Sequence, residues 1–292
     1  MPPTNHSYSK VERQYELQVD WKVANMERAE YADIMNLGTS ALLILVGGEE
    51  DQKYFLVHEN IIRGSSALMQ KMLDAPCKHP EKRIILLPKD EPAAFAIYYQ
   101  WLLTGKIHTK DSTQYLEIIH LTHTCILGHR LQDVDFVDSV HDAILQYSTE
   151  THDNKLRALI VAGAFLYLEA PEVASTKSLI VDIVAWLLRR EDATVSEMQD
   201  LFTLAYDLVE SEPHFPKDVF QVVASMCASQ DRTPLSLEDG EVYCKYHCHG
   251  ENSICYKKKI KASIGVSEET DARSTMQARA DPAEHQVEDP IE

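Results

Sequence analysis

Two short apolar runs, Leu42 to Val46 and Tyr54 to Val57, flank Gly47-Gly48 and the charged tip Glu49-Glu50-Asp51. Apolar strand-length runs around a glycine turn predict an antiparallel β-hairpin. The chain then passes His58 into Glu59-Asn-Ile-Ile-Arg-Gly-Ser-Ser66, a short helical stretch. Ser65 or Ser66 can cap a second helix whose Leu68, Met69, Met72 and Leu73 recur at helical spacing, with Pro76 and Pro80 closing it. Arg83 to Pro88 is continuously apolar at Ile84 to Leu87 and reads as a buried strand. Asp90 is the expected N-cap of the helix Glu91 to Thr104, with Pro92 in its first turn and Gly105 ending it. Phe95, Tyr98, Tyr99 and Leu102 form its inner stripe.

Two more helices follow, about 112–127 and 131–147, joined at Gly128-His129-Arg130. Beyond residue 150 helices alone are predicted. Lys155 to Leu168 is apolar nearly all round and therefore buried. Lys177 to Arg190 is the next, its Arg189-Arg190 end matching the negative pole of the helix dipole. Glu197 to Glu210 and Pro216 to Ser229 complete the set, and no fixed-period repeat interrupts it. Trp21 to Leu37 has the pattern of an amphipathic lead-in helix.

The segments "LVGGEEDQKYFLVHENIIRGSSALMQKML", "ILLPKDEPAAFAIYYQWLLTGKI" and "LGHRLQDVDFVDSVHDAIL", in that order and spacing, resemble the BTB/POZ family over most of residues 38–147. The last block and the shape of the second half are similar to the short BTB proteins common in filamentous fungi. Similar proteins carry an acidic residue just before the first strand, where this chain has Thr39-Ser40-Ala41. The fold expected is α+β: a small BTB/POZ sheet wrapped by helices, an all-α C-terminal domain and a disordered acidic tail. The corresponding division is a polar lead-in at 1–37, the BTB/POZ unit at 38–148, a helical domain at 149–235, a Cys/His segment at 236–261 and the tail at 262–292.

Composition narrows the function. The chain has 292 residues, 45% of them hydrophobic, with a formal net charge of −18. An acidic surface argues against direct gripping of nucleic acid or an anionic membrane, both of which need basic residues. Neither a secretory leader nor an apolar run of membrane-spanning length is present in the sequence, so a soluble protein of cytoplasm or nucleus is expected. In such a compartment its six cysteines serve as thiols or metal ligands rather than disulfides. Lys257-Lys-Lys-Ile-Lys261 reads either as a nuclear import signal or as a solvated linker.

One constellation has metal-ligand chemistry: Cys244, His247, His249 and Cys255, with Cys248 as an alternative member. In an extended segment His247 and His249 share a face, Gly250 and Asn252 supply a turn, and the four residues offer structural zinc its preferred thiolates and imidazoles. Some fungal BTB proteins carry a similar Cys, His-x-His, Cys pattern near their ends. The competing reading is reduced surface thiols and loop histidines. Elsewhere His120 and His123 share a helix face near Cys125, His58 stands by Ser65 and Ser66, and Asp182 lies within an apolar helix. The ordinary roles of these residues are partly buried histidines, a corner hydrogen bond with helix caps, and a solvent-facing acid. Arg63 and Asp74 are exposed charges that either meet partners or stay solvated.

The resemblance implies a non-catalytic protein-interaction protein that homodimerises through its BTB/POZ unit, using the lead-in and roughly Glu59 to Leu73. It also implies, more narrowly, a substrate adaptor docking on a cullin scaffold for ubiquitin transfer. The loop Asp74 to Lys82, where cullin-binding relatives place an apolar residue followed by an acid, has no clear match. The alternatives are a transcription-associated nuclear scaffold that ignores cullins, and a zinc enzyme built on the Cys/His segment.

Overall fold

The computed structural model describes residues 37–76, 84–110, 114–150, 154–170, 172–190, 199, 213–229, 244–250 and 253–263. The expected lead-in helix up to residue 36, all but residue 199 of the helix at 197–210, most of the loop at 74–82 and all but the first two residues of the acidic tail lie outside them.

The hairpin forms as its pattern predicts. Strands β1 (Ala41–Val46) and β2 (Lys53–His58) pair antiparallel, Leu43 opposite Leu56 and Leu45 opposite Tyr54. Gly47 turns the chain at φ +107°, where a Cβ would stand 2.5 Å from the Asp51 carbonyl oxygen, so only glycine fits. His58 begins α1 (Glu59–Ser65) without making a side-chain capping bond, and the Glu59 N–H donates to the Ser40 carbonyl. Ser66, not Ser65, caps α2 (Ala67–Asp74), accepting from the Met69 N–H at 3.1 Å. After α2 the chain returns as β3 (Ile84–Leu87), parallel to β1 on the side away from β2.

The expectation that β3 is buried on both faces is corrected. Ile85 and Leu87 enter the core, but Ile84 and Leu86 are 48% and 59% exposed. On β2, Tyr54 and Leu56 are exposed at 65% and 67%. Among the described residues the helices cover one face of the sheet, and the apolar rows Leu56–Leu43–Ile84 and Tyr54–Leu45–Leu86 line the other.

Helix α3 (Pro92–Thr104) starts and ends as predicted, with Pro92 in its first turn and Gly105 left-handed at its end. Its cap is not Asp90. Glu91 occupies the N-cap without a side-chain bond, and the buried Asp90 pairs with Arg130 at 2.7 Å. The next helix runs through the predicted break: α4 spans Gln114–Leu131 and includes Gly128. That glycine is needed for close packing, since a Cβ there would stand 2.8 Å from Val137 and 2.9 Å from Phe136. The chain turns instead at Gln132 (φ 55°), and Asp133 caps α5 (Val134–Thr149).

Asp133 joins three elements. Its carboxylate accepts from the Phe136 N–H at 3.1 Å, from the Tyr98 hydroxyl at 3.0 Å and from Ser65 Oγ. Beside it, Ser66 Oγ donates to the Leu131 carbonyl at 2.6 Å, so the α4–α5 turn locks onto the α1–α2 junction.

Helices α6 (Lys155–Glu169), α7 (Ala174–Leu188) and α8 (His214–Ser229) follow, and the short α9 (Tyr256–Ser263) ends the described chain. Lys155 donates to the Ser148 and Glu150 carbonyls, each at 2.6 Å, closing the end of α5. One continuous hydrophobic core runs from Ile44 and Phe95 through Leu121, Phe136 and Ile144 to Leu159, Ile183 and Phe215. Gly163 makes room for Phe215, whose ring would lie 2.3 Å from a Cβ at that position. No described helix is long and apolar enough to cross a membrane.

Two substitutions test this packing. Asp133→Ala removes a cap and leaves buried donors without acceptors, and should cost about 2–4 kcal/mol in urea denaturation. Gly163→Val forces α6 from α8 and should cost about 1–3 kcal/mol in the same measurement.

Candidate metal centre

Helix α5 is buried nearly all round, yet it carries Asp138, His141 and Asp142. Buried polar groups need partners, and the segment at residues 244–256 supplies many of them. The Cys248 N–H donates to Asp138 at 2.5 Å, and His247 Nε2 lies 3.3 Å from Asp142 Oδ1. Tyr256 OH also donates to Asp142, and Lys257 Nζ pairs with it at 2.7 Å. Lys259 reaches Asp135 at 2.7 Å. On α7, Asp182 accepts from Lys245 Nζ at 2.6 Å and from the Tyr246 hydroxyl at 2.8 Å. Asp182 is thus neither a solvent-stripe acid nor an isolated buried one; it anchors this segment.

The four sequence-predicted residues come together. Cys244, His247, His249 and Cys255 each place one donor atom within 4.8 Å of all the others. The expected extended strand is absent from the described part of this segment. A turn closes from the His247 N–H to the Cys244 carbonyl at 3.3 Å, and another from the Ser253 N–H to the Gly250 carbonyl at 2.8 Å. His247 and His249 converge while Cys248 between them points away, as alternation predicts, and the two turns bring Cys244 and Cys255 to the imidazoles. Cys248 stands apart from the set, with its Sγ 3.0 Å from Ser175 Oγ.

The imidazole surroundings fit a metal. His247 Nδ1 faces Cys255 Sγ at 3.6 Å, and its Nε2 is placed to donate to the Asp142 carboxylate. His249 is placed to donate from Nδ1 to the Gly250 carbonyl at 3.3 Å, while its Nε2 is buried without a hydrogen-bond partner. Each ring is therefore held by one nitrogen and presents a lone pair with the other, the arrangement in which a carboxylate or backbone carbonyl orients a metal-bound histidine. Burial pushes the Asp142 carboxyl up, but the hydrogen bonds from His247, Lys257 and Tyr256 outweigh it and keep it below the usual carboxylate range. Burial and the neighbouring Cys255 raise the Cys244 thiol. Two thiolates would neutralise a divalent zinc, and two imidazoles would complete its four-coordinate shell. Four protein ligands leave no position for substrate or water, so the chemistry of the set is that of a structural site.

The other sequence candidates separate. His123 packs on Phe165 with ring centroids 4.9 Å apart, and burial lowers its pKa. His120 and His123 join no metal-capable group among the described residues. Arg63 pairs with Glu59 at 2.8 Å and with Asp74. Sequence reasoning missed Asp138 and Asp142. The available signal was three acids, Asp135, Asp138 and Asp142, recurring along one helix opposite a lysine-rich segment.

In comparisons with known proteins, the chain matches no family model and no curated protein.

Asp142→Asn should weaken zinc binding about 10–100-fold in competition with a chromophoric chelator while leaving the far-ultraviolet circular dichroism unchanged. Because the Cys244 and Cys255 thiols must each lose a proton on binding, affinity should fall as pH falls. Competition titrations at two pH values would read that dependence.

Proposed function

We propose that this is a non-catalytic protein-interaction protein that self-associates through a BTB/POZ unit, with its Cys/His segment closed by structural zinc. The observation that carries the reading is the order and pairing of elements between Ala41 and Thr104. A hairpin feeds two short helices, and the chain returns in a strand parallel to the first before a long buried helix. The order of these elements is the one the hydrophobic pattern predicts, and it supports the reading.

The apolar outer face of the sheet supports it. Tyr54, Leu56, Ile84 and Leu86 stand exposed in two cross-strand rows with no charged residue within them. Contiguous apolar surface of this kind is what a protein partner covers. A second copy suits it, because an uncharged patch lets two chains of net charge −18 meet where repulsion is least. Zinc fits the proposal in a supporting role: it would fasten residues 244–263 to α5 and α7 without taking part in a reaction. The cullin adaptor is the narrower form of this reading, in which the helical half presents the substrate.

Light scattering on purified protein, alone and with cullin N-terminal domains, tests both levels. Twice the 33.2 kDa of one chain is expected at micromolar concentration, and a monomer would overturn self-association. Leu56→Glu should convert the dimer to monomer with its fold intact. A dimer that persists in that variant moves the contact to Glu59–Leu73. Added mass with a cullin domain would establish the adaptor form, and its absence across the panel would leave a scaffold.

A further inference from the structure

A second group of metal-capable side chains lies in the interior, between α4, α5 and α7. Cys125 and His129 sit one turn apart on α4 and share a face. His141 of α5 and Thr176 in the first turn of α7 meet them. Thr176 Oγ1 stands 2.8 Å from His141 Nε2, 3.0 Å from Cys125 Sγ and 3.2 Å from His129 Nε2. Cys125 Sγ lies 3.6 Å from His141 Nε2, and the donors of Cys125, His129 and His141 all fall within 4.8 Å of one another.

We infer that Cys125, His129 and His141, closed by the Thr176 hydroxyl, form a second and internal zinc site. At ordinary zinc–nitrogen and zinc–sulfur lengths, the donors of a tetrahedron stand roughly 3.3–3.7 Å apart. The Cys125–His141 separation of 3.6 Å lies within that range and the three Thr176 separations of 2.8–3.2 Å fall just short of it, so the hydroxyl would have to withdraw by a few tenths of an ångström to complete the shell. The donor set has the right softness, one thiolate with two imidazoles.

The surroundings leave one carboxylate oxygen and one ring nitrogen buried without a hydrogen bond. Asp138 lies one turn before His141 on α5; its Oδ1 accepts from the Cys248 N–H, while its Oδ2 is buried without a hydrogen bond, 3.9 Å from His247 Nδ1. His141 Nδ1 is likewise buried and unpartnered; the Tyr246 carbonyl acts on the ring without meeting hydrogen-bond geometry. A donor atom of Asp138 falls within 4.8 Å of a His141 ring nitrogen. Zinc on Nε2 fixes the proton on Nδ1 and makes it a stronger donor, which draws in the carboxylate as an outer partner. The ion's two positive charges are then matched by the Cys125 thiolate and Asp138. Binding breaks the Cys125 S–H bond and releases its proton to solvent as the sulfur–zinc bond forms.

This site shares no ligand with the outer centre, although Asp138 lies between them, and zinc counts per chain separate the two. The full chain is loaded with excess zinc at neutral pH, desalted, and measured by native mass spectrometry. Wild type should carry two zinc ions, and Cys125→Ser, His129→Gln and Cys255→Ser one each. Any wild-type count that both Cys125→Ser and His129→Gln leave unchanged overturns the inner site. One ion that survives Cys255→Ser but not His129→Gln upholds the inner site and removes the outer. Should a variant misfold, cobalt-loaded wild type decides: charge-transfer intensity of three thiolates supports the inner site, and that of two overturns it.

Discussion

Helix α5 is buried on nearly every side, and the carboxylates of Asp133, Asp138 and Asp142 must find donors there. This requirement organises much of the molecule. At the start of the helix Asp133 draws in Ser65 and Tyr98, fastening the sheet-bearing half. Along its length Asp138 and Asp142 draw in Cys248, His247, Tyr256 and Lys257, fastening the C-terminal segment. An ionised carboxylate left alone in a low-dielectric interior costs several kcal/mol. The packing of distant parts of the chain is therefore tied to the solvation of one helix.

The parts of the fold legible in the sequence are those set by local chemistry. The hairpin shows in its alternation and its Gly47 turn, the start of α2 in Ser66, and the end of α3 in Gly105. Each signal acts within a few residues of its effect. Gly128 misled because one residue type serves two purposes: it can release a helix or let a neighbour come close, and here Phe136 and Val137 decide. Asp90 misled for a related reason, since its carboxylate has the option of a distant arginine. The strand Ile84–Leu87 read as doubly buried because four apolar residues in a row carry no record of which face the helices cover.

The outer Cys/His group was legible in composition and in part in geometry. Two thiols and two imidazoles within twelve positions announced the chemistry, and alternation put His247 and His249 on one side with Cys248 away, while the turn that carries Cys244 to them did not show. The carboxylate behind His247 was beyond local reading. It belongs to a helix more than a hundred positions earlier, and nothing near residue 247 names it. The inner group is further from view still, because His141 and Thr176 acquire chemical meaning only when three helices meet.

Those sequence separations bear on the order in which the chain assembles. The His247–Asp142 contact joins residues 105 positions apart, and Tyr256–Asp142 joins residues 114 apart. The hairpin closes over a handful of residues, with little chain entropy to overcome. During synthesis the hairpin and α5 emerge well before the residues that answer Asp142. Until they do, that carboxylate stays with water, so the helix docks fully only after most of the polypeptide has been made. Completion of the interior is thus a late event, timed by the arrival of His247, Tyr256 and Lys257.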